Sequence, residues 1–237
     1  MTRYEVFSDR AALADAAATS IVESANRAIA ARGRFTLALS GGSTPRPTYA
    51  LLASDRFASQ VDWSRVHIFW GDERCVPLDH PDSNYRMARQ TMLRHLPIPR
   101  ANLHRMLGAW IPSEAAARYA WVLRRVLGEA RQFDLILLGM GADGHTASLF
   151  PGTPALQVVD RPTTAVYVPA SASWRISLTY PVINQARAVR FLVQGGSKAP
   201  ALARVRNGEL LPAARVSPAS GDLVWFVDEA AAGSPQS

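Results

Sequence analysis

A histidine two residues after an aspartate, in a glycine-rich loop directly behind an apolar run, carries the most chemistry in this 237-residue chain. Residues 133–152 read FDLILLGMGADGHTASLFPG. Leu135, Ile136, Leu137 and Leu138 form a short continuous apolar run, the signature of a strand buried on both faces of a parallel sheet. Gly139, Gly141 and Gly144 then let the backbone turn sharply and come close to a ligand. Open α/β sheets bind their ligands just beyond the carboxyl ends of the strands. Asp143 and His145 therefore fall where such a sheet holds its substrate. An imidazole suits proton transfer near neutrality, so His145 is the first candidate for a catalytic acid/base. Asp143 is a candidate to orient it.

The same run matches G-x-G-x-x-G from Gly139 to Gly144, with Asp160 downstream in the place of a ribose-binding acid. A dinucleotide site needs a long helix opening at that loop, its N-terminus on the pyrophosphate. Pro151, Gly152 and Pro154 leave room for barely two turns. Asp143 would also set a carboxylate against the pyrophosphate. No nicotinamide cofactor is expected.

Two further loops follow strands in the same way. Ser40, Gly41, Gly42, Ser43 and Thr44 lie between a strand and a helix, with Pro45 suited to the first helical position and Thr44 to the N-cap. Free N–H groups there, beside hydroxyls, make a cradle for phosphate or another anion. It lacks the G-K-[ST] ending of a Walker A loop. Asp72, Glu73 and Arg74 follow the apolar Ile68, Phe69 and Trp70 through Gly71. Arg74 could stabilise an oxyanion or grip a phosphate, and Asp72 could orient an imidazole in place of Asp143. Lys198, the only lysine, follows Gly195, Gly196 and Ser197 at a helix start, and Arg175 enters a strand. Both are candidate phosphate partners. Cys75 beside Arg74 reads as packing, His67, His80, His95 and His104 have no metal-ligand spacing, and no G-x-S-x-G elbow supports a serine hydrolase.

The elements that must position these residues alternate. Helix is expected over 8–31, capped by Ser8 and closed by Gly33, then over 45–53, 82–95, 113–130 and 198–206. Strands are expected over 35–39, 66–70, 133–138, 165–168, 175–179, 189–193 and 223–227. The alternation implies an α/β layered sandwich with a mostly parallel sheet, one domain over 1–229 and a loose tail over 230–237.

Composition narrows the function. A hydrophobic share of 48% and a charged share of 19% are ordinary for a globular protein. No apolar window is long enough for a membrane span, and the acidic residues Asp9, Asp15 and Glu23 interrupt any signal-peptide core. A cytoplasmic protein is expected. A single cysteine excludes an internal disulfide and a multi-cysteine zinc site. The net charge of +7 comes almost entirely from scattered arginine, which favours small anionic substrates over nucleic acid.

Taken together, Ser40 to Pro45, Trp70 to Arg74 with Val76 and Pro77, Asp82 to Tyr85, and Gly139 to Gly152 resemble the 6-phosphogluconolactonase family in order and spacing. The resemblance spans essentially the whole chain. It implies the fold shared with glucosamine-6-phosphate deaminase and ribose-5-phosphate isomerase. It also implies hydrolysis of 6-phosphoglucono-1,5-lactone in the oxidative pentose phosphate pathway without metal or organic cofactor. In that reading His145 is the general base, Asp143 or Asp72 holds it, and Arg74 stabilises developing charge. Ser43, Thr44, Arg175 and Lys198 hold the phosphate, and Ser40, Gly41, Gly42, Asn84, Gly141 and Gly144 complete the substrate site. The enzyme would be a monomer or weak homo-oligomer. A sugar-phosphate isomerase or deaminase on the same fold is the rival, and it would need a carboxylate base such as Asp72.

Overall fold

The computed structural model describes residues 2–233. Its strands are β1 (Thr2–Phe7), β2 (Phe35–Leu39), β3 (Val66–Trp70), β4 (Asp72–Arg74), β5 (Leu135–Gly139), β6 (Thr163–Val168), β7 (Ser173–Leu178), β8 (Ala188–Val193) and β9 (Asp222–Asp228). Its α-helices are α1 (Arg10–Arg32), α2 (Arg46–Leu52), α3 (Asp55–Ala58), α4 (Asn84–Thr91), α5 (Pro112–Leu127), α6 (Tyr180–Ile183), α7 (Ala199–Arg206) and α8 (Glu229–Ala232).

Six strands form one sheet in the order β1-β9-β8-β5-β2-β3. Every neighbouring pair is parallel. Alternation along the central strands sends side chains to opposite faces. Leu37, Ile68 and Leu135 pack on one face with Ile21 and Val22 of α1, Tyr49 of α2 and Met87 of α4. Ala38, Phe69, Ile136 and Phe191 pack on the other with Tyr119 and Leu123 of α5 and Leu202 of α7. The register agrees, since Leu37 lies opposite both Ile68 and Leu135, and Ala38 opposite both Phe69 and Ile136. The α/β layered sandwich is as expected.

A second sheet, in the order β4-β7-β6, is antiparallel and small. The charged run after β3 is thus a strand, not a loop: the Gly71 N–H bonds the Leu39 carbonyl at 2.8 Å, and the Gly71 carbonyl accepts from Leu178 at 2.8 Å. That residue carries the chain from one sheet to the other. Its consequence is that Arg74 and Arg175 stand directly opposite each other.

Several boundaries differ from expectation. Asp9, not Ser8, caps α1, accepting from the N–H groups of Ala11 and Ala12 at 2.8 and 2.9 Å. A carboxylate accepts these two donors better than a hydroxyl one residue further out. Gly33 closes the helix with φ of 72°, as expected. Thr44 is not an N-cap, because α2 starts at Arg46 and no side chain caps it. The tail expected from residue 230 begins inside α8, which Asp228 caps through the Ala231 N–H at 2.8 Å. Residues 234–237 of that tail lie outside the described residues.

Candidate active site

Two buried tyrosines pin the strand ends from which the site loops start. The Tyr49 hydroxyl accepts from the Ser40 N–H at 3.0 Å and donates to the Ser40 carbonyl at 2.8 Å. Tyr119 does the same for Trp70, at 2.9 and 3.2 Å. Burial pushes both phenols up, so each keeps its proton and serves as donor and acceptor together.

Beyond these ends lies a cavity of about 480 Å³, lined by the loops after β2, β3, β5 and β8. That volume suits a small sugar phosphate. Of the expected site residues, Ser40, Gly41, Gly42, Ser43, Thr44, Asp72, Arg74, Asn84, Gly141, His145, Arg175 and Lys198 line it. Asp143 and Gly144 do not. Asp143 stands behind the imidazole, whose Nδ1 is 2.6 Å from its Oδ1. The His145 N–H also donates to that oxygen, at 3.1 Å. Partial burial pushes the Asp143 carboxyl up, but the N–H and imidazole of His145 more than reverse this, leaving it below the ordinary 3.8. An ionised acceptor at Nδ1 fixes the proton there and leaves Nε2 for chemistry.

Gly144 is a turn residue rather than a ligand contact. Its φ is 79°, and a Cβ there would come within 2.7 Å of the Leu211 side chain. Gly141 does approach the site: a Cβ would stand 2.1 Å from His145 Nδ1. Its N–H bonds the His145 carbonyl at 2.9 Å, and Thr146 Oγ1 bonds the Gly139 carbonyl at 2.9 Å. The loop therefore folds back on the end of β5, and no helix opens there to hold a pyrophosphate.

Asp72 does not touch the imidazole. Its carboxylate is buried and accepts from Ser148 Oγ at 2.6 Å and Asn84 Nδ2 at 3.2 Å. It is the only carboxylate on the cavity lining among the described residues. Glu73 points away from the cavity and braces α4, accepting from the N–H groups of Asn84 and Tyr85 at 2.7 and 2.8 Å. Asn84 also explains why Gly41 is glycine, since a Cβ there would lie 2.0 Å from Asn84 Oδ1.

Four cations line the cavity, Arg10, Arg74, Arg175 and Lys198. Arg74 donates to the Asp82 carbonyl at 2.7 Å and Arg175 to Ser171 Oγ at 3.3 Å, and the buried Nε of each has no partner among the described residues. Burial lowers the Arg175 guanidinium, and the neighbouring Arg74 lowers it further. Two adjacent guanidiniums with no carboxylate in salt-bridge contact among the described residues make this side of the cavity a place for anionic groups. Arg10 was not foreseen from the sequence: it belongs to the first turn of α1, far from any glycine loop, and donates to the Ser43 carbonyl at 3.1 Å. Ser40 Oγ is buried without a partner among the described residues, as a substrate-facing hydroxyl would be. Cys75 is the opposite of an activated thiol, since burial and then Glu73 push it up to about 11.

A family model described as glucosamine-6-phosphate isomerases/6-phosphogluconolactonase matches residues 8–225. The chain belongs to this family. A 6-phosphogluconolactonase of Synechocystis sp. is 43% identical over 235 residues, covering 96% of this chain and 95% of the relative. One of Nostoc sp. is 44% identical with the same coverage. The solved structure of 6-phosphogluconolactonase from Trypanosoma cruzi superposes with a TM-score of 0.88 at 29% identity, covering 100% of this chain and 98% of that one. A monomeric glucosamine-6-phosphate deaminase, at 22% identity and a TM-score of 0.82, shares the fold. The motif resemblance and the fold it implied both hold. Among the described residues no helix is long and apolar enough to cross a membrane.

Proposed function

We propose that the chain hydrolyses 6-phosphoglucono-1,5-lactone to 6-phosphogluconate in the oxidative pentose phosphate pathway. The supporting observation is the cavity itself: an imidazole backed by a carboxylate at 2.6 Å opens onto a space ringed by Arg10, Arg74, Arg175 and Lys198. Relatives that match nearly the full chain carry the name 6-phosphogluconolactonase.

In this reading His145 Nε2 takes a proton from water as the water oxygen bonds to lactone C1. The carbonyl electrons move onto oxygen, where Arg74 stabilises the developing charge. Collapse breaks the bond from C1 to the ring oxygen, and His145 returns the proton to that oxygen. Asp143 holds the imidazole in the required tautomer and faces the imidazolium between the two transfers. Ser43, Thr44, Arg175 and Lys198 hold the phosphate, so that binding far from C1 supplies orientation at C1. General-base assistance of this kind is worth roughly 10²–10⁴-fold.

The rival isomerase or deaminase chemistry asks for a carboxylate base; Asp72 is held by Ser148 and Asn84, and the relatives that match nearly the full chain carry the lactonase name. A cytoplasmic setting, a weakly associating or monomeric state and a single domain over 1–229 belong to the same proposal. The test is release of 6-phosphogluconate from freshly made lactone, with the spontaneous rate subtracted and EDTA present. Fast turnover is expected. No acceleration over the spontaneous rate, with isotope exchange at C2 of a hexose phosphate instead, would overturn the reading.

A further inference from the structure

One hydrogen bond is too little to fix a histidine. The 2.6 Å contact with Asp143 sets where Nδ1 lies, but the χ2 torsion of an imidazole is broad, so the ring plane and the direction of the Nε2 lone pair stay open. The structure supplies the second constraint from a residue off the cavity lining. The Phe150 ring lies 3.9 Å from the His145 ring, centroid to centroid, with 25° between the planes. The Arg175 guanidinium carbon sits 5.5 Å from the centroid of the same phenyl ring.

Phe150 is itself firmly held. Its carbonyl accepts from Thr153 Oγ1 at 2.8 Å and from the Thr153 N–H at 3.2 Å. Just before it, the Leu149 N–H bonds the Thr146 carbonyl at 2.9 Å, and the Ser148 N–H bonds Ser177 Oγ at 3.1 Å, tying the loop to β7. Gly152, with φ of 75°, turns the chain away directly after it. A stacked or offset aromatic pair is a favourable contact with a defined plane, and an aromatic face also accepts a guanidinium.

We propose that Phe150 is a positioning residue for the reaction: one phenyl ring sets the plane of the His145 imidazole and the place of the Arg175 guanidinium. The spacing between proton-transfer group and phosphate anchor is then built into a single loop tied to β7. This rests on the lactonase reading and adds a residue to it. It also explains why an aromatic side chain occupies a half-buried loop position beside the cavity, where packing alone would accept an aliphatic one.

The test uses the full chain and two variants. Phe150→Leu keeps the apolar bulk and removes the ring face, whereas Phe150→Tyr keeps the face. On 6-phosphogluconolactone, Phe150→Leu is expected to lower kcat at least tenfold, in the range set by ångström-scale misplacement of a reacting group. KM should rise about two- to fivefold, the worth of the ring face lost to the Arg175 guanidinium, which keeps only its Ser171 contact. Phe150→Tyr should return kcat to within threefold of the parent. Independently of turnover, carbon relaxation spectra of the His145 ring should show a rigidly held imidazole in the parent and in Phe150→Tyr, and added ring motion about χ2 in Phe150→Leu, with the Nδ1–H tautomer kept by Asp143 throughout. A parent protein without activity would count against the function, while the spectra would still decide the role of Phe150. An unaltered His145 spectrum in Phe150→Leu, or a kcat within threefold of the parent, overturns the inference.

Discussion

Gly141→Ala is the sharpest perturbation available, because a single methyl group reaches the site and little else. A Cβ at this position would stand 2.1 Å from His145 Nδ1, 2.3 Å from Cε1 and 2.5 Å from Asp143 Oδ1. Non-bonded contacts to carbon settle near ~3.5 Å, so the imidazole must retreat by roughly 1.4 Å and the carboxylate by roughly 1 Å. The His145–Asp143 hydrogen bond cannot survive that separation unchanged. Displacement on this scale costs about 10²-fold in rate when it affects a reacting group. Gly141 is not among the glycines with positive φ, so alanine brings no left-handed strain to the backbone. The clashing atoms are ends of side chains on a partly exposed loop, and they can swing aside without unfolding it. Stability should therefore change by less than ~1 kcal/mol, a shift in Tm of under about 4 °C. The assay pairs kcat and KM on the phosphorylated lactone with thermal melts. Gly33→Ala is the opposite control: φ is 72° and no atom lies within 4 Å of the new Cβ. That change should cost about 1–2 kcal/mol of stability and leave kcat alone. A Gly141→Ala enzyme with kcat within threefold of the parent would refute the geometry assigned to His145.

Arg175→Gln should raise KM for the phosphorylated lactone about ten- to hundredfold, the worth of a charge-assisted hydrogen bond. KM for unphosphorylated glucono-1,5-lactone should stay where it is; an equal rise for both substrates would remove Arg175 from the phosphate site. A further prediction concerns acid stability at the β3 edge. His67 Nδ1 and His104 Nε2 are 3.1 Å apart, and the His104 N–H bonds the Ile68 carbonyl at 2.8 Å. Burial, with His67 beside it, pulls the His104 imidazole down to about 4 from 6.5. Between those values the unfolded chain binds more protons than the folded one, so stability must fall as pH drops from near 7 towards 4. His104→Gln should flatten that dependence in melts at pH 7 and pH 4.5, and an unchanged slope would assign the acid sensitivity to other groups.

What could be read from the sequence follows how strongly each residue's neighbours in the chain determine its place. The run from Leu135 to Leu138 shows its burial in four consecutive apolar side chains, and the loop carrying Asp143 and His145 is placed by its own glycines. The first strand could not be read that way. Thr2–Phe7 is an edge strand with an exposed pattern that shows no apolar alternation, and its pairing with β9 lies more than two hundred residues away. Asp72, Glu73 and Arg74 read as a charged loop because three consecutive charges do not look like a strand; it is the pairing with Ser177, Ile176 and Arg175 that makes them one. Choosing between Asp143 and Asp72 as partner of His145 likewise needed three dimensions, since Ser148 and Asn84 claim the Asp72 carboxylate. Arg10 and Phe150 matter through contacts that no spacing rule marks: one crosses from α1 to the Ser43 loop, and the other stacks within its own loop.

The measurement that bears most directly on the account is the single-residue comparison of the parent with His145→Ala, on fresh 6-phosphogluconolactone with the spontaneous opening subtracted. His145 is half-buried on a loop, and its truncation removes no core contact of the main sheet. The variant should melt close to the parent and lose at least about 10²-fold in kcat, with KM little changed because the phosphate anchors remain. A His145→Ala protein that folds and turns over at a near-parental rate would show that another group activates the water, and the assignment of His145 and Asp143 would fall.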